Sequence, residues 1–236
     1  MNAKTDDKKD ERIADICTLY QDSPGKADEI TFSVDEMTGI QALERIAPDL
    51  PMSPGKPLAR EFEYKRNGTQ TLIAAIQIAT GTVQAHCGDT RTEEDFSQFI
   101  EALIQQHPAY RVYHVVLDQL NTHKSEALVR LTAKLSGFDV DLGVKGKSGI
   151  LESMKTREAL LSKTDKSVVF HYTPKHASWM NQIEIWFGIL TKKVIKRGHF
   201  RSKAELRDKL LAFIDYFNAT MAKPFRWTYQ GKPLVA

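Results

Sequence analysis

Hydrophobic and polar positions change period several times along this chain. Residues 1–29 are mostly polar and charged, but Ile13, Ile16, Cys17 and Tyr20 recur at helical spacing, and Ser23-Pro24-Gly25 ends that helix. It reads as a linker or docking helix. Ile30-Thr31-Phe32-Ser33-Val34 then reads as a strand closed by Asp35. Pro48, Pro51, Pro54 and Pro57 make residues 46–58 an irregular loop. A second strand begins at residues 62–65, Asn67-Gly68 signals a turn, residues 71–79 continue extended, and Thr80-Gly81 turns into residues 82–87. The stretch predicts an antiparallel meander of about three strands.

The period then lengthens. Thr92-Glu93-Glu94-Asp95 has the form of a capping box with Asp in the usual Glu place, and Phe96, Phe99, Ile100, Leu103 and Ile104 follow as an apolar helical stripe. Val112-Tyr113-His114-Val115-Val116-Leu117 is an apolar strand ending in Asp118. A helix through Ala127, Leu128, Leu131 and Leu135 stops near Gly137. Residues 139–166 carry Gly143, Gly146, Gly149 and several lysines, with a short helix expected at 151–161. A strand at 167–172, helices near 178–197 and 203–219, and a loop-like tail from Lys223 complete the chain. The order is that of an α/β domain: a mixed sheet of three antiparallel strands followed by parallel ones, with helices on both faces. Right-handed crossovers set the Asp118 strand beside and parallel to the Asp35 strand, the arrangement of ribonuclease H-like domains. The expected divisions are a linker or docking helix at 1–29, a domain at 30–222 with an insertion at about 139–166, and a tail at 223–236.

At 236 residues and 42% hydrophobic, the chain can bury one substantial core. No apolar stretch approaches the roughly 20 residues of a membrane span, and the first residues have no signal-peptide apolar segment. Cys17 and Cys87 are too few for a disulfide framework or a Cys-rich zinc site, and a cytoplasmic setting is expected. The net charge of +3 hides a gradient: 11 Lys and Arg against 19 Asp and Glu in residues 1–110, 11 against 8 in 111–185, and 11 against 3 in 186–236. A polyanion meeting the C-terminal part fits that asymmetry, and so does a solvated helix face.

Acids at the carboxyl ends of buried strands lie where α/β sheets build their sites. Neighbouring strands are about 4.8 Å apart, so Asp35 and Asp118 at matching ends bring two carboxylates within reach of one cation. Without a cation they repel. Mg²⁺ prefers such oxygen ligands, and two divalent ions about 3.5–4 Å apart serve in-line phosphoryl displacement. Glu184 lies at the margin of the arc formed by Trp179, Ile183, Trp186, Phe187, Leu190 and Val194, where it can point past the sheet edge. Taken singly, each acid also reads as a turn, cap or exposed helical residue. Glu36, beside Asp35, reads as a surface or supporting group. Asn121 and His123 follow Asp118 and would orient its carboxylate, contact phosphate or cap a helix. His171 and His176 lack the further ligands a zinc site needs. Lys175 and His176 read as phosphate contacts, and Lys192, Lys193, Lys196, Arg197, His199 and Arg201 form a basic run.

The blocks Val34-Asp35-Glu36-Met37-Thr38-Gly39, Leu117-Asp118-Gln119-Leu120-Asn121-Thr122-His123 and His176-Ala177-Ser178-Trp179-Met180-Asn181-Gln182-Ile183-Glu184-Ile185-Trp186-Phe187 resemble the three acidic blocks of bacterial insertion-sequence transposases related to mariner, of the DDE endonuclease superfamily. The closing Lys223-Pro224-Phe225-Arg226-Trp227-Thr228-Tyr229 is similar too. The resemblance implies a catalytic triad of Asp35, Asp118 and Glu184 holding Mg²⁺ or Mn²⁺, with two ions expected. It implies cleavage of transposon ends at inverted repeats, then attack of the freed 3′ hydroxyl on a TA target. DNA contacts are expected from Asn121, His123, Lys175, His176, Trp179, Asn181, Lys192, Lys193, Lys196, Arg197 and Arg201. Expected partners are double-stranded DNA, a second copy in a homodimer, and a helix-turn-helix product of an upstream reading frame, because the chain starts at the linker helix; no membrane is expected. The implied location is the bacterial cytoplasm, on the nucleoid when acting. The alternatives are a non-autonomous DNA-binding or dimerisation module, or another nuclease of the same fold. The second and third acids lie further apart than in such relatives, and the 139–166 segment accounts for the excess.

Overall fold

The computed structural model describes residues 7–59 and 61–231, so the extreme ends of the expected linker and tail (1–6 and 232–236) lie outside the described residues. Among these residues five strands form one sheet: Glu29–Arg45 (β1), Tyr64–Gln77 (β2), Val83–Gly88 (β3), Val112–Leu117 (β4) and Val168–Tyr172 (β5). Their order is β3-β2-β1-β4-β5. β1 pairs antiparallel with β2, and β2 with β3, while β4 lies parallel between β1 and β5.

Among the described residues six α-helices cover the sheet: Lys9–Asp22 (α1), Glu93–Gln105 (α2), Glu126–Leu135 (α3), Met154–Leu161 (α4), Ile183–Leu190 (α5) and Lys203–Thr220 (α6). Strand alternation divides their partners. Ile30, Phe32 and Val34 of β1, with Val115 and Leu117 of β4, face α2, α3 and α4. Val116 of β4, with Ala74 and Ile76 of β2, faces α1, α5 and α6 around the wholly buried Trp186. Two cores therefore flank one sheet. The helix expected to act as a linker packs into the second core through Ile13, Ile16, Cys17, Leu19 and Tyr20, and the Tyr20 hydroxyl donates to the Met180 carbonyl at 3.0 Å.

α2 starts at the expected capping box: Thr92 accepts from the Asp95 amide and Asp95 accepts from the Thr92 amide. Asn67-Gly68, by contrast, is no turn. β2 runs straight through it, and β1 continues past Asp35 to Arg45. The two strands shift register between Met37 and Ile40 and again between Gln41 and Leu43. Gly68, at φ 110°, is a conformation other residues avoid, and it lies within the second irregular stretch of the pair. The shift reverses alternation, so Ile40 and Ala42 join the same core that Val116 faces. Asp35 thus sits in mid-strand, at the point where the parallel β1–β4 ladder stops and the antiparallel pairing goes on.

The helix expected at 178–197 is three pieces: a 3-10 turn (Ser178–Met180), α5, and a π turn (Thr191–Ile195). The tail after α6 has no regular structure but is packed. Trp227 lies edge-on to Tyr20, with ring centroids 4.9 Å apart.

Candidate metal and nucleic-acid site

The parallel register aligns Ser33 with Val116, so two residues further on Asp35 and Asp118 leave the sheet on the same face. Asp35 is almost buried and Asp118 partly so. The third acid reaches them through a polar clamp. Asn181 donates to the Val34 carbonyl at 2.9 Å and lies 3.4 Å from the Asp35 carboxylate, while its amide oxygen accepts from the Ser33 hydroxyl. The same hydroxyl accepts from the Ile183 amide at 2.9 Å, at the first residue of α5. Two buried side chains thereby fix where α5 begins, and Glu184 stands in its first turn, near enough to Asp35 and Asp118 for both to act on its carboxyl.

Asp118 is held from the other side. Its Oδ1 accepts from the Leu120 amide and from His123 Nδ1, both at 2.8 Å. His123 Nε2 is 2.9 Å from Glu36 Oε2. The ring is wholly buried, tilted against Phe96 at 4.5 Å, and the Glu36 side chain is as deeply enclosed. Glu36 is therefore no surface group. Its side chain lies enclosed against His123, which packs on Phe96 of α2.

These contacts separate the charges. Burial favours the neutral ring of His123, but its bonds to Asp118 and Glu36 outweigh burial and push its pKa up to about 10. Burial likewise works against the Asp118 anion, yet the His123 bond and charge hold its carboxyl below the ordinary range. Asp35 has no such partner: burial first, then the nearby Asp118 charge, push it up to about 7. Glu184 is raised by its partial burial and by Asp118. Asp35 and Glu184 thus resist ionisation beside an ionised Asp118, a repulsion that a cation would relieve, but among the described residues the three acids do not all bring ligand atoms within 4.8 Å of one another. Asp35, Glu36 and His123 do bring ligand atoms within 4.8 Å of one another. Both nitrogens of His123 already face carboxylates, however, so the ring has no lone pair to offer a metal.

The residues expected to touch DNA fall into two groups. His123 and Asn181 are fully buried and committed to internal hydrogen bonds; in this structure they act on the acids and present no surface to DNA. Asn121, Lys175, His176, Trp179, Lys192, Lys193, Lys196, Arg197 and Arg201 are exposed. Trp179, 52% exposed, stacks on Trp227 and meets Tyr229 edge-on. His176 holds a left-handed backbone, φ 61°, in the loop that leads to Glu184. Of the two readings of Glu36, surface or supporting group, the structure favours the second; Ser33 is the position beside the acids that residue type did not single out, and strict alternation on a sheet covered on both faces would have marked it as buried.

The His123 ring gives the metal-free chain a pH signature. In the folded chain it keeps its proton up to about 10, whereas unfolded it releases it near 6.5. Its stabilisation is complete below about 6.5 and is lost as pH rises towards 10. Chemical denaturation in EDTA should show stability falling across that window, and His123→Asn should flatten the fall.

Residues 31–207 match the family of DDE superfamily endonucleases. Among solved structures, the Mos1 transposase paired-end complex with left transposon end has 11% identity and a TM-score of 0.51, covering 93% of this chain and 57% of that one. The Mos1 mariner paired-end complex with Mn gives 11% and 0.51, over 91% and 57%. The catalytic domain of Mos1 mariner transposase gives 10% and 0.50, over 93% and 85%. At such identities the likeness is one of fold, that of a ribonuclease H-like transposase catalytic domain. This chain spans a little over half of the longer Mos1 chains. No functionally curated protein matches it in sequence. The match over residues 31–207 nonetheless makes the chain a member of the DDE superfamily endonucleases.

Proposed function

We propose that the chain is the catalytic domain of a DNA transposase, cutting transposon ends and joining them to target DNA with Asp35, Asp118 and Glu184 as its catalytic acids. The observation that carries this reading is the parallel register that sets Asp35 and Asp118 on one face of the sheet, with the Ser33–Asn181 clamp holding the start of α5, and so Glu184, on that same side. The family match supports a metal-dependent nuclease, and the Mos1 structures named as paired-end complexes support DNA as substrate. On this reading the ion is Mg²⁺ or Mn²⁺, as a pair, and a homodimer handles two inverted-repeat ends, with TA as target. A helix-turn-helix product from an upstream frame would recognise the ends.

Asp35, Asp118 and Glu184 would hold the ions. Divalent cations supply Lewis-acid polarisation of a phosphodiester and ease deprotonation of an attacking hydroxyl. The chain's own residues do the rest. His123 keeps Asp118 ionised at neutral pH, so one ligand is ready before any ion arrives. Asn181 and Ser33 fix Glu184 opposite Asp35. Exposed Lys175 and His176 border the site in the loop before α5, and the run from Lys192 to Arg201 extends a cationic track beyond α5 along which a phosphate backbone fits.

Asp35→Asn removes a ligand and also removes a carboxylate whose ionisation the fold resists. DNA cleavage in Mg²⁺ or Mn²⁺ should fall by about a hundredfold or more. The metal-free melting temperature at pH 8 should rise, because ionised Asp35 destabilises the folded chain above its pKa of about 7. Retained cleavage would refute the assignment.

Reversing charge at Lys192, Lys193 and Lys196 to Glu should weaken DNA binding and flatten its dependence on salt, measured by fluorescence anisotropy between low and physiological ionic strength. Unchanged binding would place the DNA elsewhere.

A further inference from the structure

The 139–166 segment is ordered at both ends. Gly143 and Gly149, with φ of 80° and 68°, pack so tightly that a Cβ on either would collide with backbone of the other arm of the turn. α4 opens with a reciprocal cap between Ser153 and Thr156, and the Thr156 hydroxyl also bonds the Ile150 carbonyl at 2.9 Å. Leu151, Leu160 and Leu161 are buried beneath it. At its far end the buried Lys166 ammonium donates to the carbonyls of Leu160 and Lys163. α4 is therefore a fixed post.

That post carries one carboxylate between two cations. Glu158 Oε1 accepts from Arg12 of α1 at 2.5 Å, and Oε2 accepts from Lys124 at 2.7 Å. The three side chains are only 15%, 22% and 10% exposed for Arg12, Glu158 and Lys124. Lys124 ends the loop that starts at Asp118. Its ammonium also donates to Gln119 Oε1 at 2.6 Å, and Gln119 donates to the Thr173 carbonyl at 2.7 Å. Lys124 lies 4.9 Å from the centre of the Tyr172 ring, whose hydroxyl donates to the His123 carbonyl at 2.7 Å. Beside the Arg12–Glu158 contact is a cavity of about 360 Å³ between α1, α4 and β5, so charge, not close packing, holds α1 on that side.

We propose that the 139–166 segment is an internal brace for the Asp118 loop, with Glu158 and Lys124 as positioning residues that keep His123 and Asp118 aimed at the site and tie that aim to the seating of α1. The proposal rests on the catalytic reading of Asp118. Exposed ion pairs contribute little. Here, however, the pair is largely enclosed, and removing the Glu158 charge takes away the carboxylate that Arg12 and Lys124 share, so Lys124 loses its anchor on α4 and shifts. Movement of Lys124 drags the adjacent His123, and with it the bond that holds Asp118.

The test compares Glu158→Gln and Lys124→Met, singly and together, with Asp35→Asn as control. Nicking of supercoiled plasmid in Mn²⁺ and hydrogen exchange of the amides at 119–125 in the metal-free chain are read in parallel. Each single change should lower kcat about tenfold, as loss of a ligand's supporting contact does, with KM for the plasmid shifted by less than about twofold. Amide exchange across 119–125 should quicken, and the double variant should be no worse than the poorer single one. Lys124→Arg, which keeps the cation, should recover most of the rate. Unaltered exchange in both single variants overturns the brace. A change confined to KM overturns it too, because the segment would then be touching DNA. If Lys124→Met does not fold, Glu158→Gln decides by the same readings. Nicking that survives Asp35→Asn would remove the catalytic reading, while the exchange data would still judge the brace by itself.

Discussion

Two carboxylates that repel each other are forced together by the parallel pairing of β1 and β4. The register leaves Asp35 and Asp118 no choice: both emerge on one face at one level, partly out of water, where a second negative charge is costly. Much of the surrounding structure is arranged about that conflict. His123 settles it for Asp118 by lending a buried positive charge. Asp35 is left unsettled, and Glu184 is brought against it. A donor set held short of full ionisation has high demand for an external cation. On the catalytic reading proposed above, this is how a ribonuclease H-like sheet would come to hold a metal.

The two faces of the sheet do different work. On the α5 side, Ser33 and Asn181 are spent entirely on geometry, clamping the start of a helix to a strand so that one glutamate lands correctly. On the α2 side, Glu36, His123 and Phe96 form a buried electrostatic support. Asp118 is the point where the faces communicate, since its carboxylate looks to one and its loop is anchored in the other. The loop in turn leans on α4, so the extra segment between the second and third acids is mechanically part of the site.

Much of this could be read from the chain. The run before Asp118, the Thr92 cap and the helical stripe after it gave strand, helix and handedness, because each is a local pattern that burial on both faces reinforces. Asn67-Gly68 misled for the opposite reason: its local preference for a turn was absorbed by the irregular pairing of two long strands, which needs the same left-handed backbone. Asn181 was expected at the DNA because polar residues beside a site usually face the ligand, whereas for His123 the reading that it orients the Asp118 carboxylate stood beside phosphate contact, and the structure shows that bond. Which way each side chain turns depends on the short 3-10 turns that carry them, and those are set by tertiary bonds to Ser33, Val34 and Tyr172. Glu36 was legible in principle. Two adjacent residues of a strand face opposite ways, and a sheet with helices on both sides has no surface for either.

The account turns on where a divalent ion sits. Crystals soaked in Mn²⁺ and measured at the manganese absorption edge would show it directly. Anomalous density between Asp35, Asp118 and Glu184, with His123 still bonded to Asp118 and Glu36, is the result predicted. Density at Asp35, Glu36 and His123 with the imidazole turned onto the ion, or no ion near Asp118 at saturating Mn²⁺, would contradict it.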